Sequence, residues 1–521
     1  MTWTRRFLSV AVSVAVALGA LPLVATASQA AGDVPGEVVA DAQFQTPASN
    51  FSDYVDGEFV GGGLLVAGYN RVWRYLPSGA LDPNFTFAPA GWDFDLGTFD
   101  YSAGRSSIAL GQLPDGSVLV GAKAHPLVRI NAQTGEQLPL SITNADQPGF
   151  SVDDVRKIVI KRNGNTADVI LLQHDTAGTV SPLIKKFVWR NGQLNRDTNF
   201  CPYFADRDNG CVADVPPLHA ILAAAFTDNG DIVIGGGANT NDLAPGILPS
   251  ESYRNYSRPY LPPAECRGLV AGGLLRINSN GTVDRDWADC QTVERGFTRL
   301  PGYCERDCLR PIEFFEMQNP RPLLNFAGGR GDVVGAVKDI AVRPDGEIVA
   351  VGVFDNYDSQ RTSGVVRVNG DGTISQTYSF GSAVPSFNSV ALFGERVIAV
   401  GRVPTTNQRI PSGVVRFNAN GRWDRTFMGG YTGNAVTDMP GLYSTGADGS
   451  QERGVAYAAI PVPANPSFPS GLLVLGDFDA VKSGSPLQSF PRRSIVLLGD
   501  VGEADSILNE DGTVGSAGDA T

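Results

Sequence analysis

Chemistry near neutral pH needs groups that titrate there or bind metals, and this sequence is sparing with them. Its 521 residues hold three histidines, His125, His174 and His219, far apart along the chain. No Gly-x-Ser-x-Gly elbow and no His-Glu-x-x-His pair accompanies them, so neither a serine hydrolase nor a zinc hydrolase is specified. Carboxylates are plentiful, with 54 Asp and Glu, but no spacing sets two of them on either side of a sugar ring. Asp206-x-Asp208-x-Gly210 and Asp355-Asn356-x-Asp358 have the oxygen-rich look of calcium loops without the closing bidentate Glu. Calcium is therefore the one cofactor the sequence leaves open, and no other is expected. Tyr253, Arg254, Tyr256, Arg258 and Tyr260 form the stretch richest in side chains that favour recognition surfaces, and they are the candidate ligand-binding residues. The competing reading of that stretch is loop packing.

All six cysteines lie between Cys201 and Cys308, and an even count in an exported chain points to disulfides. Cys201 and Cys211 bracket a short polar loop. Cys266 and Cys290 flank the Asn278-Ser279-Asn280-Gly281 turn almost symmetrically, so their β-carbons are placed to face each other across two strands. Cys304 and Cys308 remain as a tight third pair. A zinc site is the alternative, but it lacks nearby histidine and paired Cys-x-x-Cys spacing.

Export itself is read from the N-terminus. Arg5 and Arg6 precede the apolar run Phe7 to Ala25, and Ala25-x-Ala27 and Ser28-x-Ala30 offer small-residue cleavage sites. Residues 1–30 are therefore expected to be a signal peptide. Gly19 and Pro22 argue against an uncleaved anchor, and no later run is apolar and long enough to span a bilayer. The net charge of −13 disfavours nucleic acid and anionic lipid as partners.

The elements that must position these groups show themselves as a repeat. In its clearest copy, Lys338 to Val342 alternates like a strand and Arg343-Pro344-Asp345-Gly346 turns. Glu347 to Gly352 returns, a loop follows, and Val365 to Asn369 enters the Gly370-Asp371-Gly372 turn before a fourth strand. Two hairpins in series make a four-stranded meander. The first hairpin recurs at Asp115-Gly116, Asn229-Gly230 and Gly394-Glu395, each followed by an apolar strand ending in glycine. The second carries a sharper signature: Arg, then Gly five residues on, then an apolar residue, Asp, and an aromatic three beyond. It stands as Arg74, Gly79, Asp82 and Phe85; as Arg276, Gly281, Asp284 and Trp287; and as Arg416, Gly421, Asp424 and Phe427. The Arg367 copy has Ser375 at the Asp place, and the unit around Gly192 keeps Asn195 and Phe200 but lacks the Arg. These repeated residues are read as structural, because stacked units need the same interface each time.

The pattern resembles the delta-60 repeat of large bacterial secreted proteins, over roughly Asp41 to Val501. That resemblance implies a propeller-like fold. It implies no activity, and so no catalytic residue.

The expected fold is all-β: a seven-bladed β-propeller of four-stranded antiparallel blades in residues 31–505, with long loop insertions pinned by disulfides. The units lie near 44–87, 106–141, 152–200, 218–290, 336–380, 387–428 and 454–501. Insertions fall at 237–265, 290–330 and 429–453, and residues 506–521 read as a disordered tail. The seventh unit lacks a clear Asp-x-x-aromatic strand, and Val38 to Phe44, which contains Asp41-x-x-Phe44, is the segment expected to supply it. Function is expected at the insertions, as binding of an extracellular glycan or protein. Two alternatives are a polysaccharide hydrolase or lyase using carboxylates at the channel mouth, and a structural surface component.

Overall fold

The computed structural model describes residues 55–68, 71–90, 92, 108–122, 125–143, 152–153, 155–173, 184–200, 220–237, 272–281, 284, 287, 310–313, 336–354, 356–357, 360–378, 385–393, 395–403, 411–424, 427–429, 439–445, 449–462, 471–483, 488–491, 494–498, 506–508 and 514–516. Apart from a 3-10 turn at Phe427–Gly429, the regular elements among them are β-strands. No helix among the described residues is long and apolar enough to cross a membrane.

The first unit supplies β1 (Asp56–Val60), β2 (Gly63–Ala67) and β3 (Val72–Tyr75). The second has β4 (Ala109–Gln112), β5 (Val118–Ala122), β6 (His125–Ile130) and β7 (Gln137–Leu138). The third has β8 (Ser141–Thr143), β9 (Val155–Asn163), β10 (Thr166–Gln173), β11 (Ile184–Arg190) and β12 (Gln193–Arg196). The fourth has β13 (Ala220–Phe226), β14 (Ile232–Gly237), β15 (Gly272–Ile277) and β16 (Arg310–Glu313). The fifth has β17 (Ala336–Val342), β18 (Ile348–Val353), β19 (Asn356–Tyr357), β20 (Gln360–Arg361), β21 (Val365–Val368) and β22 (Ile374–Thr377). The sixth has β23 (Ser386–Phe393), β24 (Arg396–Arg402) and β25 (Val414–Phe417). Beyond it come β26 (Gly441–Thr445), β27 (Gln451–Arg453), β28 (Val455–Val462), β29 (Gly471–Asp477), β30 (Ala480–Ser483), β31 (Gln488–Pro491) and β32 (Ile495–Leu498). The tail holds β33 (Ser506–Leu508) and β34 (Val514–Ser516).

Each unit is an antiparallel meander, as its turns dictate. Gly116, Gly230 and Gly346 donate their N–H back to residues 113, 227 and 343, closing the first hairpin with φ near +80 to +92. Gly79, Gly281, Gly372 and Gly421 do the same in the second hairpin. Glycine reaches that left-handed backbone without the steric cost a β-carbon brings.

Neighbouring sheets pack face to face through their apolar strands. Clusters of buried side chains join the first unit to the second, the second to the third, and so on to the β28-β29-β32 sheet. A further cluster joins that last sheet to the first: Ala458, Leu473, Leu475, Ile495 and Leu497 meet Leu64, Val66 and Tyr75. Gly57 lies at this seam, where a β-carbon would sit 2.5 Å from Ile460 Cδ1 and push that side chain aside. The first and last sheets thus meet through side chains, and no described hydrogen bond closes a sheet between them.

Several details depart from the sequence expectation. The insertion at 290–330 contributes β16, which pairs with β15 and carries β19 and β20 at its other edge. The segment 429–453 contributes β26 and β27, which form a satellite sheet with β30 and β31 from the seventh unit. β8 adds to the third sheet in parallel with β12. The tail read as disordered contains the β33-β34 hairpin. In the seventh unit Leu497 stands where the other units have Arg or, in the third, Lys, since it pairs with Leu473 as Arg416 pairs with Ile398. Counting on from Leu497 places Gly502, Ala504, Asp505 and Leu508 at the Gly, apolar, Asp and aromatic places, so the signature is degenerate there rather than missing.

Candidate functional site

The first strands of the units surround the axis about which the sheets pack, and five of them share one irregularity. In β9, β13, β17, β23 and β28 the pairing with the second strand skips a residue, leaving Arg156, Leu222, Lys338, Asn388 and Tyr457 as bulges. A bulge re-aims side chains and interrupts the strand edge. The glycine ending the second strand faces it: a β-carbon on Gly401 would lie 2.2 Å from the Ser386 carbonyl oxygen, and one on Gly476 2.2 Å from that of Val455. This is why the repeat ends its second strand in glycine.

The bulge and the residue after it both reach along the axial side. Lys338 donates to Ser386 Oγ and Asn388 Oδ1, each at 3.0 Å, and Asn388 Nδ2 donates to the Ala456 carbonyl at 2.7 Å. Asp339 accepts from Ser389 Oγ at 2.9 Å and from the Val390 N–H at 3.0 Å, tying the fifth unit to the sixth. Asp56 holds the equivalent place in the first unit and accepts from the Leu110 N–H at 2.9 Å, tying it to the second. Lys157 of the third unit reaches across the axis and pairs with Asp339. Glu58 lies two residues on from Asp56 and pairs with Arg162 at 3.5 Å.

Two carboxylates, Asp56 and Asp339, therefore flank Lys157, and Glu58 lies beside Asp56 against Arg162. Burial pushes Asp56 up to about 6, against the pull of its backbone N–H donors and Lys157. Burial, reinforced by the charge on Asp56, pushes Glu58 up to about 7, with Arg162 opposing. Burial works against the Lys157 ammonium, but Asp339 and Asp56 hold its pKa above the ordinary value.

From Lys157 a cleft of about 390 Å³ runs along β9 and β13 to the Thr227-Asp228 turn. Its walls are Val159, Ile160, Ala225, Phe226 and Ile340, and Lys161 stands at its far end. Lys161 Nζ donates to the Thr227 carbonyl at 2.7 Å and also to that of Asp228. Among the described residues no three carboxylate, His or Cys groups are placed to hold a metal ion.

The repeat signature forms ion pairs. Arg74 pairs with Asp82, Arg276 with Asp284 at 2.6 Å and Arg416 with Asp424 at 2.6 Å. The aspartate also shapes the turn: Asp82 Oδ1 accepts from the Asn84 N–H and Asp284 Oδ1 from the Trp287 N–H. Arg416 lies 4.8 Å over the Phe427 ring, and Phe85 packs on the cluster between the first two units. Units that lack the signature replace it. Arg367 takes Glu347, which Ser375 also contacts, and Arg129 takes Asp115. In the third unit the matching residues are Lys186 and Asp197, 3.2 Å apart, with Phe200 three residues on. Asn195, the residue read as the match, instead bonds Thr143. A hairpin three residues longer hid that register.

Tyr253, Arg254, Tyr256, Arg258, Tyr260 and all six cysteines lie outside the described residues. So do Asp206, Asp208, Asp355, Asp358, His174 and His219, as well as residues 1–30 and 38–44. His125 begins β6 and stacks on Trp92 at 4.6 Å. Sequence reasoning missed Asp56, Lys157, Lys161 and Asp339. The alternation of β1, β9 and β17 was legible, but which side faces the axis depends on the bulges.

No curated protein matches the chain. Among solved structures it is similar to the extracellular domain of a protein described as a hybrid two component system from B. thetaiotaomicron. That match has 10% identity and a TM-score of 0.44, and spans 91% of this chain but only 40% of the other. The WD40 beta propeller domain of Doa1 matches at 10% identity and TM-score 0.41, over 90% of this chain and 98% of that one. PorZ, a surface component of the type-IX secretion system of Porphyromonas gingivalis, matches at 13% identity and TM-score 0.35, over 86% and 48%. Residues 343–374, from the first turn of the fifth unit to its second, match the family described as "Domain of unknown function (DUF5122) beta-propeller".

Proposed function

We propose that the protein is a secreted extracellular binding or scaffold module: a seven-bladed propeller that presents one face to a glycan or protein ligand. One observation carries this reading. In an antiparallel meander the first-to-second and third-to-fourth turns lie at one end, and the other connections leave from the opposite end. Among the described residues the first-to-second turns are short, and the long connection 238–271, from β14 to β15, leaves from the opposite end. Long connections on a fixed scaffold are where binding residues concentrate.

The test is a screen of the oxidised mature protein, with and without calcium, against glycans and extracellular proteins. Specific binding is the expected outcome, lost when Tyr256 and Arg258 are replaced by Ala while the melting temperature is unchanged. Binding that survives this pair and replacement of 240–262 by a short linker would overturn the assignment of the face.

A second reading, a polysaccharide hydrolase or lyase, is favoured by a specific observation: burial and their neighbours raise Asp56 to about 6 and the adjacent Glu58 to about 7, with Asp339 and Lys157 beside Asp56. Release of shortened product from a bound glycan, abolished in Glu58→Gln, is what that reading requires.

A further inference from the structure

We propose that the axial cleft between β9 and β13 is a second binding site, and that it takes a short carboxylate-bearing oligosaccharide. The site is at the other end of the molecule from the face bearing the long connections, because Thr227 and Asp228 belong to a first-to-second-strand turn.

The volume, about 390 Å³, falls within the range of small-molecule pockets, which combine apolar walls with a few placed polar groups. Val159 and Phe226 are half-buried and pack on the core between the third and fourth units, so their remaining surface forms a fixed apolar wall. A pyranose ring offers an apolar face to such a wall.

The polar groups select charge. Lys161 is held by two main-chain carbonyls and, among the described residues, by no carboxylate side chain, so its position is set there without its charge being neutralised by direct contact. Lys157 stands four residues away on the same strand, about 13 Å at the usual rise. The first strands carry five cations, Arg156, Lys157, Lys161, Arg162 and Lys338, against three anions, Asp56, Glu58 and Asp339, in a chain whose net charge is −13. Asp228 lines the mouth on its exposed side and disfavours ligands with a continuous run of negative charge. A carboxylate on an otherwise neutral sugar meets both conditions.

The experiment is calorimetric titration of the full mature protein with glucuronosyl-xylobiose, which carries one carboxylate on a neutral disaccharide, its methyl ester and triglutamate. The acid is expected to bind at least tenfold more tightly than the ester, and triglutamate not measurably. Lys161→Gln should lose at least tenfold in affinity with its melting temperature within the error of the parent, and Lys161→Arg should retain binding. Equal affinity for acid and ester, preference for triglutamate, no binding of glucuronosyl-xylobiose, or an unchanged Lys161→Gln would each overturn the proposal. None of these results bears on ligands of the opposite face, whose loss is read with the Tyr256 and Arg258 variants.

Discussion

Arg416 and Asp424 make the most enclosed of the repeated ion pairs, with side chains only 2% and 10% exposed. Removing one partner of a buried pair leaves the other charged without compensation. Arg416→Met is expected to lower the unfolding free energy by about 3–5 kcal/mol in urea titration. Arg129→Met removes a cation whose partner, Asp115, is 37% exposed, and should cost about 1 kcal/mol or less. The hub behaves oppositely with pH. Asp56 and Glu58 bind their protons more tightly in the folded chain, at about 6 and about 7, than at the ordinary 3.8 and 4.5. As pH rises the unfolded chain ionises first, so their contribution is full below about 4 and is lost on the way to pH 7. The charged groups facing them are Lys157, Asp339 and Arg162. Melting should therefore occur at higher temperature at pH 5 than at pH 7.5, and Asp56→Asn with Glu58→Gln should flatten that difference.

At the scale of the element, two kinds of glycine in the repeat have different physical reasons. Gly346 sits at φ +84 with nothing in the way of a β-carbon, so Gly346→Ala costs backbone strain alone, about 1 kcal/mol. Gly401 has ordinary φ but faces the bulge, and its β-carbon would press on main chain at 2.2 Å. Gly401→Ala must displace β23 and is expected to cost more, about 1–3 kcal/mol. Thermal melts of the two variants compare these costs directly. The reverse order would show that the bulge yields easily and that its register is not fixed by the glycine.

At the scale of the whole molecule, the seam between the first and last sheets decides whether the ring holds. It rests on the side chains around Gly57, Leu475 and Tyr75, so Gly57→Val, aimed at Ile460, should lower the melting temperature by several degrees. Val38 to Phe44 is the segment that the sequence offers as an outer strand beside β32. Phe44 precedes Asp56 by twelve residues, close to the eleven between Tyr378 and the matching Ser389. Deleting 38–44 is then expected to lower the melting temperature. An unchanged melt, with a loss on truncating the chain after Gly502 instead, would assign that strand to the degenerate signature ending at Leu508.

Much of this architecture is local and so could be read from the chain. Turn glycines, strand alternation and the Arg-to-Asp spacing are set within ten residues or so, because hairpin geometry depends only on neighbours along the sequence. That is why the units, their order and the Arg74, Arg276 and Arg416 signatures were legible, and why a hairpin of altered length concealed Lys186 and Asp197. The hub was not legible. Lys157 and Asp339 are 182 residues apart, and their meeting follows from the packing of successive sheets about one axis together with a bulge that turns two adjacent side chains the same way. Sequence by itself determined the repeating strands and the signature that lock each unit. Only the tertiary structure decided which polar residues face one another, because that depends on distances set by closing the ring rather than by any one unit.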